Sequence, residues 1–201
     1  KNSFHGRTSA AVAATDNPKI VAPINAQQEV IFLEFEDLVG VEKALQNNDV
    51  CAVIIETIQG VGGLDEASTN FYQGLERLCN EYNTLLIADE IQSGFGRTGD
   101  FFAFQKHGIT PDIISMAKGM GNGFPIGGIL IHPKIEASFG LLGTTFGGNH
   151  LACAASLAVI NVLQEEDLMN NTKEISAYFI ENLKEIPQVT AIKGRGLMLG
   201  I

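Results

Sequence analysis

The fold class is indicated most clearly by Thr84-Leu85-Leu86-Ile87-Ala88-Asp89-Glu90, where a short and mostly apolar run leads directly into two acids. Such a run is typical of a strand that is buried on both faces of a parallel sheet. Three further runs of the same character lie at 50–55, 112–117 and 126–131. The sequence therefore predicts four strands, with Asp89 directly after the second.

Apolar residues recur at helical spacing between the predicted strands. They do so over 38–45, before the first strand, and over 71–79, between the first and the second. Residues 151–163 predict a long Ala-rich helix, and 175–186 predict another. Strands that alternate with helices are typical of an α/β fold with a mostly parallel sheet.

The composition indicates a soluble globular protein. The chain has 201 residues, 13 Lys and Arg against 23 Asp and Glu, a formal charge of −10 and 45% hydrophobic residues. The chain has no basic run that could attract nucleic acid or anionic lipid, and it has no apolar stretch of the roughly 20 residues that a membrane span requires. The three cysteines stand far apart, which favours a reduced, cytoplasmic setting, and the four histidines lack metal-ligand spacing. The first residue is not Met and the last lies in an apolar run, so we expect a portion of a longer protein.

An acid and an amine follow two neighbouring predicted strands. Ligands of parallel sheets collect beyond the carboxyl ends of the strands, so Asp89 and Lys118 should face one crevice. Gly119, Gly121 and Gly123 would let a ligand approach the backbone there. Taken singly, Asp89 is explained as a turn cap and Lys118 as a solvated loop residue. Together they suit pyridoxal phosphate, whose aldehyde condenses with a lysine and whose ring nitrogen a carboxylate keeps protonated.

Several motifs resemble the class III, ornithine-type aminotransferases, which use pyridoxal phosphate. They follow the family's order along nearly the whole chain, and they are Phe4-His5-Gly6-Arg7-Thr8, the stretch 89–99, Pro111-Asp112-Ile113, Ala117-Lys118-Gly119 and the stretch 143–149. The likeness is greatest to acetylornithine and succinylornithine aminotransferases. It implies fold type I of the pyridoxal-phosphate transferases, with helices on both faces of a mostly parallel sheet. Residues 1–187 would be the central part of the cofactor-binding large domain, and 188–201 would begin a C-terminal small domain.

The resemblance also implies which residues hold the cofactor. Lys118 would be the Schiff-base lysine and Asp89 the partner of the ring nitrogen, and both would be catalytic. The other expected cofactor contacts are Phe4 and Ile91 on the two ring faces, Gln92 on the ring hydroxyl, Glu90 beside them, and Thr145 on the phosphate bound by the neighbouring subunit.

The substrate contacts and the reaction follow from the same resemblance. Arg7 would bind the substrate carboxylate through its planar guanidinium, and Thr144 would lie near the substrate. The implied enzyme is a cytoplasmic homodimer that moves an amino group from N-acetylornithine or N-succinylornithine to 2-oxoglutarate in arginine metabolism. An ornithine or γ-aminobutyrate aminotransferase and an inactive fragment are the alternatives. Val61 stands where many relatives have a Glu that pairs with a mobile Arg, and this departure bears on the substrate.

A rival prediction comes from the stretch Gly94-Phe95-Gly96-Arg97-Thr98-Gly99, which matches the Gly-x-Gly-x-x-Gly fingerprint of dinucleotide-binding enzymes. Here Asp89 and Glu90 stand between the strand and the first glycine, where their negative charge would meet a pyrophosphate. The following residues, Asp100-Phe101-Phe102, are a poor start for the tightly packed helix that this fingerprint needs. The sequence therefore favours an aminotransferase over a dehydrogenase.

Overall fold

The computed structural model describes residues 1–201 and has a four-stranded main sheet in the order β1-β2-β3-β4. Its strands are β1 (Ala52–Glu56), β2 (Leu85–Asp89), β3 (Ile113–Met116) and β4 (Gly128–Ile131). The first three run parallel, whereas β4 pairs antiparallel with β3. The connection between β3 and β4 contains no long helix, and a parallel pairing would need such a crossover. The predicted α/β class with a mostly parallel sheet is confirmed.

The chain has five α-helices before, between and after these strands. They are α1 (Ser9–Ala13), α2 (Leu38–Leu45), α3 (Thr69–Glu81), α4 (His150–Glu165) and α5 (Leu168–Lys184). Side chains of Asp37, Ser68 and Asn149 accept backbone N–H bonds at the starts of α2, α3 and α4, as N-caps do. Helix α5 begins seven residues before its predicted start. Residues 168–174 are mainly polar and show little apolar periodicity, so the sequence pattern does not reveal this part of the helix. None of these helices has the combination of length and apolar character that crossing a membrane requires.

The core lies where α2 and α3 pack on the sheet. Leu45, Leu75 and Leu86, from α2, α3 and β2, are almost fully buried and belong to one apolar cluster. The apolar faces of these elements fix which sides of the strands point inward, and the strand register follows from that. In this register Glu56 lies opposite Asp89, so two carboxylates come together where β1 and β2 end.

A second sheet follows α5 and has two antiparallel strands, β5 (Lys193–Arg195) and β6 (Met198–Gly200). The N–H of Leu197 donates to the carbonyl of Arg97, 2.9 Å away. Gly196 has a φ of +62°, and a Cβ there would stand 2.5 Å from the backbone of Thr98. Only glycine permits this approach, and the hairpin therefore packs closely on the loop after β2. These two strands were not predicted from the sequence.

Candidate active site

A cleft of about 120 Å³ opens at the carboxyl ends of β1, β2 and β3. Ten residues line it, and five of these are predicted site residues, namely Phe4, Asp89, Ile91, Gln92 and Lys118. They come from the N-terminal segment, the end of β2 with the turn that follows it, and the turn after β3. The position beyond the strand ends is where parallel sheets bind ligands, and the structure brings these residues together there.

Asp89 is buried at the end of β2 and is held by three hydrogen bonds. Its Oδ2 accepts from Nδ1 of His5 at 2.8 Å. Its Oδ1 accepts from the Ser115 hydroxyl at 3.0 Å and from the Ile91 N–H at 3.1 Å. A carboxylate offers about four acceptor positions, so one stays available on Oδ2. Asp89 can therefore accept one more hydrogen bond from a ligand in the cleft, such as that of a protonated ring nitrogen.

His5 is a site residue that the sequence did not predict, because the spacing of the four histidines bears only on metal binding. Its side chain is buried beside Asp89, and its Nδ1 carries the proton because the partner atom is a carboxylate oxygen. Its Nε2 is buried and has no hydrogen-bond partner. The available signal was its place inside the motif Phe4-His5-Gly6-Arg7-Thr8. The imidazole fixes the orientation of the carboxylate.

Glu56 was also missed, since its position suggested only the end of a strand. Its Oε1 accepts from the N–H of Phe4 at 2.8 Å, and its Oε2 accepts from the N–H of Gly60 at 2.9 Å. Burial raises the pKa of Glu56, and the two backbone N–H groups oppose that rise. The side chain ties the N-terminal segment to the loop after β1, so it holds two walls of the cleft together.

Lys118 lies at the exposed mouth of the cleft, two residues after β3. Its Nζ donates to Oε1 of Gln92 at 3.2 Å. Its φ of +43° is in the left-handed region, which costs an ordinary residue about 1–3 kcal/mol and recurs at functional sites. Gly60 faces the same Gln92, and a Cβ at Gly60 would stand 2.4 Å from Oε1 of that side chain. The amine and the amide are therefore confined to one narrow region.

The structure does not place Glu90 in the cleft. Its side chain is 0% exposed, and four protein groups donate hydrogen bonds to its carboxylate. These bonds occupy the roughly four acceptor positions of a carboxylate. The geometry of Glu90 therefore does not support the direct cofactor contact that was predicted from the sequence.

Three other predicted residues lie outside the cleft. Arg7 is exposed and does not line it. Thr144 and Thr145 belong to the exposed stretch 136–151, where the Thr144 hydroxyl accepts from the N–H of Gly147 at 3.2 Å. Thr145 is predicted to serve a neighbouring subunit, which a single chain does not contain. The roles of Arg7, Thr144 and Thr145 stay predictions.

The lining residues fit the ring and the aldehyde of pyridoxal phosphate. The volume of the cleft is similar to that of an apolar cavity of about 150 Å³ that binds benzene. Half-buried Phe4 and Ile91 supply apolar surface for a ring, and Asp89 has a free acceptor position. The Lys118 amine is the group that can condense with an aldehyde.

Comparisons with known proteins agree with this chemistry. The class III aminotransferase family matches residues 1–201. The acetylornithine aminotransferase of Aquifex aeolicus is 43% identical over 204 residues, covering 100% of this chain and 53% of that protein. The succinylornithine transaminase of Photorhabdus laumondii is 41% identical and covers 100% of this chain and 50% of its own length. The crystal structure of ornithine aminotransferase from Toxoplasma gondii superposes with a TM-score of 0.88 at 29% identity, over 98% of this chain and 49% of that one.

The chain thus spans about half the length of the relatives that it matches. The match extends from the first residue to the last, and the solved structure has the same arrangement of strands and helices over that length. The predicted resemblance and fold type I are both confirmed. On its sequence and on its fold, the chain belongs to the class III aminotransferases.

Proposed function

We propose that the protein is a pyridoxal-phosphate-dependent aminotransferase that moves an amino group from the ω-amine of an N-acylornithine to 2-oxoglutarate. One observation carries the proposal, namely that a buried carboxylate with a free acceptor position and a lysine amine line the same cleft. The names of the relatives support N-acetylornithine or N-succinylornithine as the amino donor.

Asp89 controls the charge at one end of the cleft. Pyridoxal phosphate, when bound, supplies an electron sink for the carbon of the substrate that loses a proton. With the cofactor bound, the negative charge of Asp89 would hold a proton at the ring nitrogen, which the electron sink requires. His5 and Ser115 hold the two carboxylate oxygens, so the charge stays fixed in position.

Lys118 carries the proton at the other end. As a neutral amine, Nζ can take a proton from the substrate carbon and return it at a neighbouring carbon. Its hydrogen bond to Gln92 keeps the amine at the mouth of the cleft, beside the position of an incoming substrate. Phe4 and Ile91, which line the cleft, would cover the two faces of a bound ring and keep water from it, and this would strengthen the charge interactions inside.

Arg7 and Val61 are the two residues that bear on the choice of substrate. Arg7 is exposed beyond the cleft and has a free guanidinium that suits a carboxylate. Val61 is 69% exposed in the loop after β1 and cannot form an ion pair with an arginine. The Glu at this position that pairs with a mobile Arg is typical of ornithine and γ-aminobutyrate enzymes, so Val61 favours an N-acylornithine over these two donors.

We propose further that the protein is a cytoplasmic homodimer whose large domain ends near residue 187. The exposed stretch 136–151 carries Phe139, Leu141, Leu142 and Phe146, each at least 69% exposed. Exposed apolar groups on this scale favour burial against another chain. Thr144 and Thr145 belong to the same stretch, which supports a role at the site of a partner subunit.

A substrate panel on the full-length protein tests the proposal. N-acetylornithine, N-succinylornithine, ornithine and γ-aminobutyrate are offered with 2-oxoglutarate, and an N-acylornithine should give the highest kcat/KM. Lys118→Ala should abolish turnover, whereas Lys106→Ala, at an exposed lysine outside the cleft, should not. Borohydride reduction and peptide mapping should place the cofactor label on Lys118, and a label on another lysine contradicts the assignment.

A further inference from the structure

Glu90 is a fully buried acid that touches no ligand-accessible surface. Its Oε1 accepts from the Thr57 hydroxyl at 2.8 Å and from the N–H of Phe104 at 3.0 Å. Its Oε2 accepts from the Ser93 hydroxyl at 2.8 Å and from the N–H of Ala103 at 2.9 Å. A buried carboxylate needs such bonds to offset its desolvation, and here all of them come from the protein itself.

The four donors belong to three separate segments of the chain. Thr57 directly follows β1, Ser93 lies in the turn after β2, and Ala103 and Phe104 begin a 3-10 helix at Ala103–His107. Glu90 therefore joins the end of one strand to its own turn and to a segment more than ten residues later. This side chain can set the position of the turn that contains it.

That turn carries much of the cleft. Asp89 directly precedes Glu90, and Ile91 and Gln92 directly follow it. Three residues that line the cleft therefore lie within two positions of Glu90. The backbone of Glu90 is also hydrogen-bonded on both sides. Its N–H donates to the carbonyl of Ser115, and its carbonyl accepts from the N–H of Gly94, each at 3.0 Å. A displacement of Glu90 would therefore move the carboxylate of Asp89 and the amide of Gln92.

The anchor extends to the C-terminal hairpin. Arg195, in β5, donates to the carbonyl of Ala103 at 2.9 Å, to Asp100 at 2.6 Å and to Glu66 at 3.0 Å. The N–H of Ala103 binds Glu90 while its carbonyl binds Arg195. The segment that holds Glu90 is thus itself fixed from the opposite side.

We propose that Glu90 is a positioning residue, which acts through Asp89 and Gln92 by holding their turn in the geometry that catalysis needs. The proposal rests on the proposed aminotransferase function. It assigns Glu90 no contact with cofactor or substrate.

Glu90→Gln is the informative change because an amide cannot replace this carboxylate. The N–H groups of Ala103 and Phe104 bind different oxygens, so in either orientation the amide NH2 faces one of them. One buried backbone N–H then loses its acceptor, and the turn has to shift. Misplacement of the reacting groups by a fraction of an ångström lowers kcat, and a loss of about tenfold to a hundredfold is expected.

The control is Asp112→Asn. Asp112 is another buried carboxylate, and it directly precedes β3. It accepts from the N–H of Leu86 at 2.8 Å near the start of β2, so it lies at the amino ends of the strands, away from the cleft. Both variants are made in the full-length protein and compared by urea unfolding, cofactor affinity, kcat and KM. The pH at which the absorption of the bound cofactor changes reports on Asp89, and hydrogen exchange over 91–104 is measured without cofactor.

Glu90→Gln should lower kcat at least about tenfold with KM within about threefold, shift the pH of the absorption change and speed exchange over 91–104. Asp112→Asn should lower stability and leave these quantities unchanged. Equal kcat and equal spectra in the two variants at matched stability overturn the proposal. If Glu90→Gln does not fold, Thr57→Val and Ser93→Ala each remove one donor, and normal kcat in both also overturns it.

The two proposals fail in different ways. A wild-type protein that binds no pyridoxal phosphate contradicts the proposed function. The exchange measurement needs no cofactor, so unchanged exchange over 91–104 in Glu90→Gln contradicts the positioning role by itself.

Discussion

Replacing Asp89 by Asn keeps the shape of the side chain and removes its charge. Oδ1 accepts from the N–H of Ile91, which can only donate, so the amide oxygen should stay on that side. The amide NH2 then faces Nδ1 of His5, which also carries a proton in the wild type. The imidazole has to move its proton to Nε2, which is buried without a partner. The substitution therefore reverses the hydrogen bond between residues 89 and 5, because the side chain of residue 89 becomes the donor and Nδ1 of His5 becomes the acceptor.

Two energies follow from this rearrangement. A buried N–H without an acceptor costs about 1–3 kcal/mol, which should appear in the free energy of unfolding. The lost charge affects the reaction more strongly, since a unit charge about 4 Å from a cation contributes about 4 kcal/mol at an effective dielectric constant of about 20. Because about 1.4 kcal/mol corresponds to a tenfold change in rate, kcat should fall about a thousandfold.

The assay is steady-state transamination by the full-length Asp89→Asn protein at saturating cofactor, with cofactor occupancy measured separately. The cofactor should still bind, because Phe4, Ile91 and Lys118, the other proposed cofactor contacts in the cleft, are unchanged. Asp112→Asn serves as the control, since it alters a buried carboxylate at the amino ends of the strands, away from the cleft. Turnover by Asp89→Asn within about threefold of wild type, with full occupancy, would refute the proposed role.

Three further predictions address the surroundings of the site. Burial lowers the pKa of His107, so the native state binds its proton less well than the unfolded state does. Unfolding free energy in urea should therefore fall as pH drops below about 6.5, and His107→Gln should flatten that dependence; equal slopes contradict it. Gly60→Ala should displace Gln92 and lower kcat/KM with stability changed by less than about 1 kcal/mol, as seen by urea unfolding, and an unaltered kcat/KM would count against this contact. Gly196→Ala should cost about 2–5 kcal/mol of unfolding free energy because its backbone meets Thr98, and a loss below about 1 kcal/mol would contradict the close packing.

Patterns of local sequence predicted the parts of the fold that depend on local sequence. The four strands of the main sheet and the helices α2, α3 and α4 come from apolar runs and apolar periodicity, and the structure has them where they were expected. The start of α5 was missed because its first two turns are mainly polar. The hairpin of β5 and β6 was missed because each strand has three residues, which is too short to show alternation.

In the candidate site, too, the sequence predicted residues from their local position and missed those whose partners are distant along the chain. Asp89 and Lys118 were predicted because each directly follows a strand. His5 and Glu56 were not predicted, since their partners in the cleft lie 84 and 52 residues away along the chain. Glu90 was assigned to the cofactor because it is next to Asp89, whereas side chains of neighbouring residues at a strand end point to opposite sides. Contacts between distant segments depend on the assembled fold, and no spacing in the sequence expresses them.

The strand register connects the core of the protein to its chemistry. Asp89 lies opposite Glu56 on one side and opposite Ser115 on the other. This pairing lets the Ser115 hydroxyl reach Oδ1 of Asp89. A slip of one residue between β2 and β3 would turn Ser115 to the other face and would also expose apolar side chains of the core. The same burial that fixes the register therefore fixes the hydrogen bond between Ser115 and Asp89, and a slip of the strands cannot break this bond without a cost to the stability of the fold.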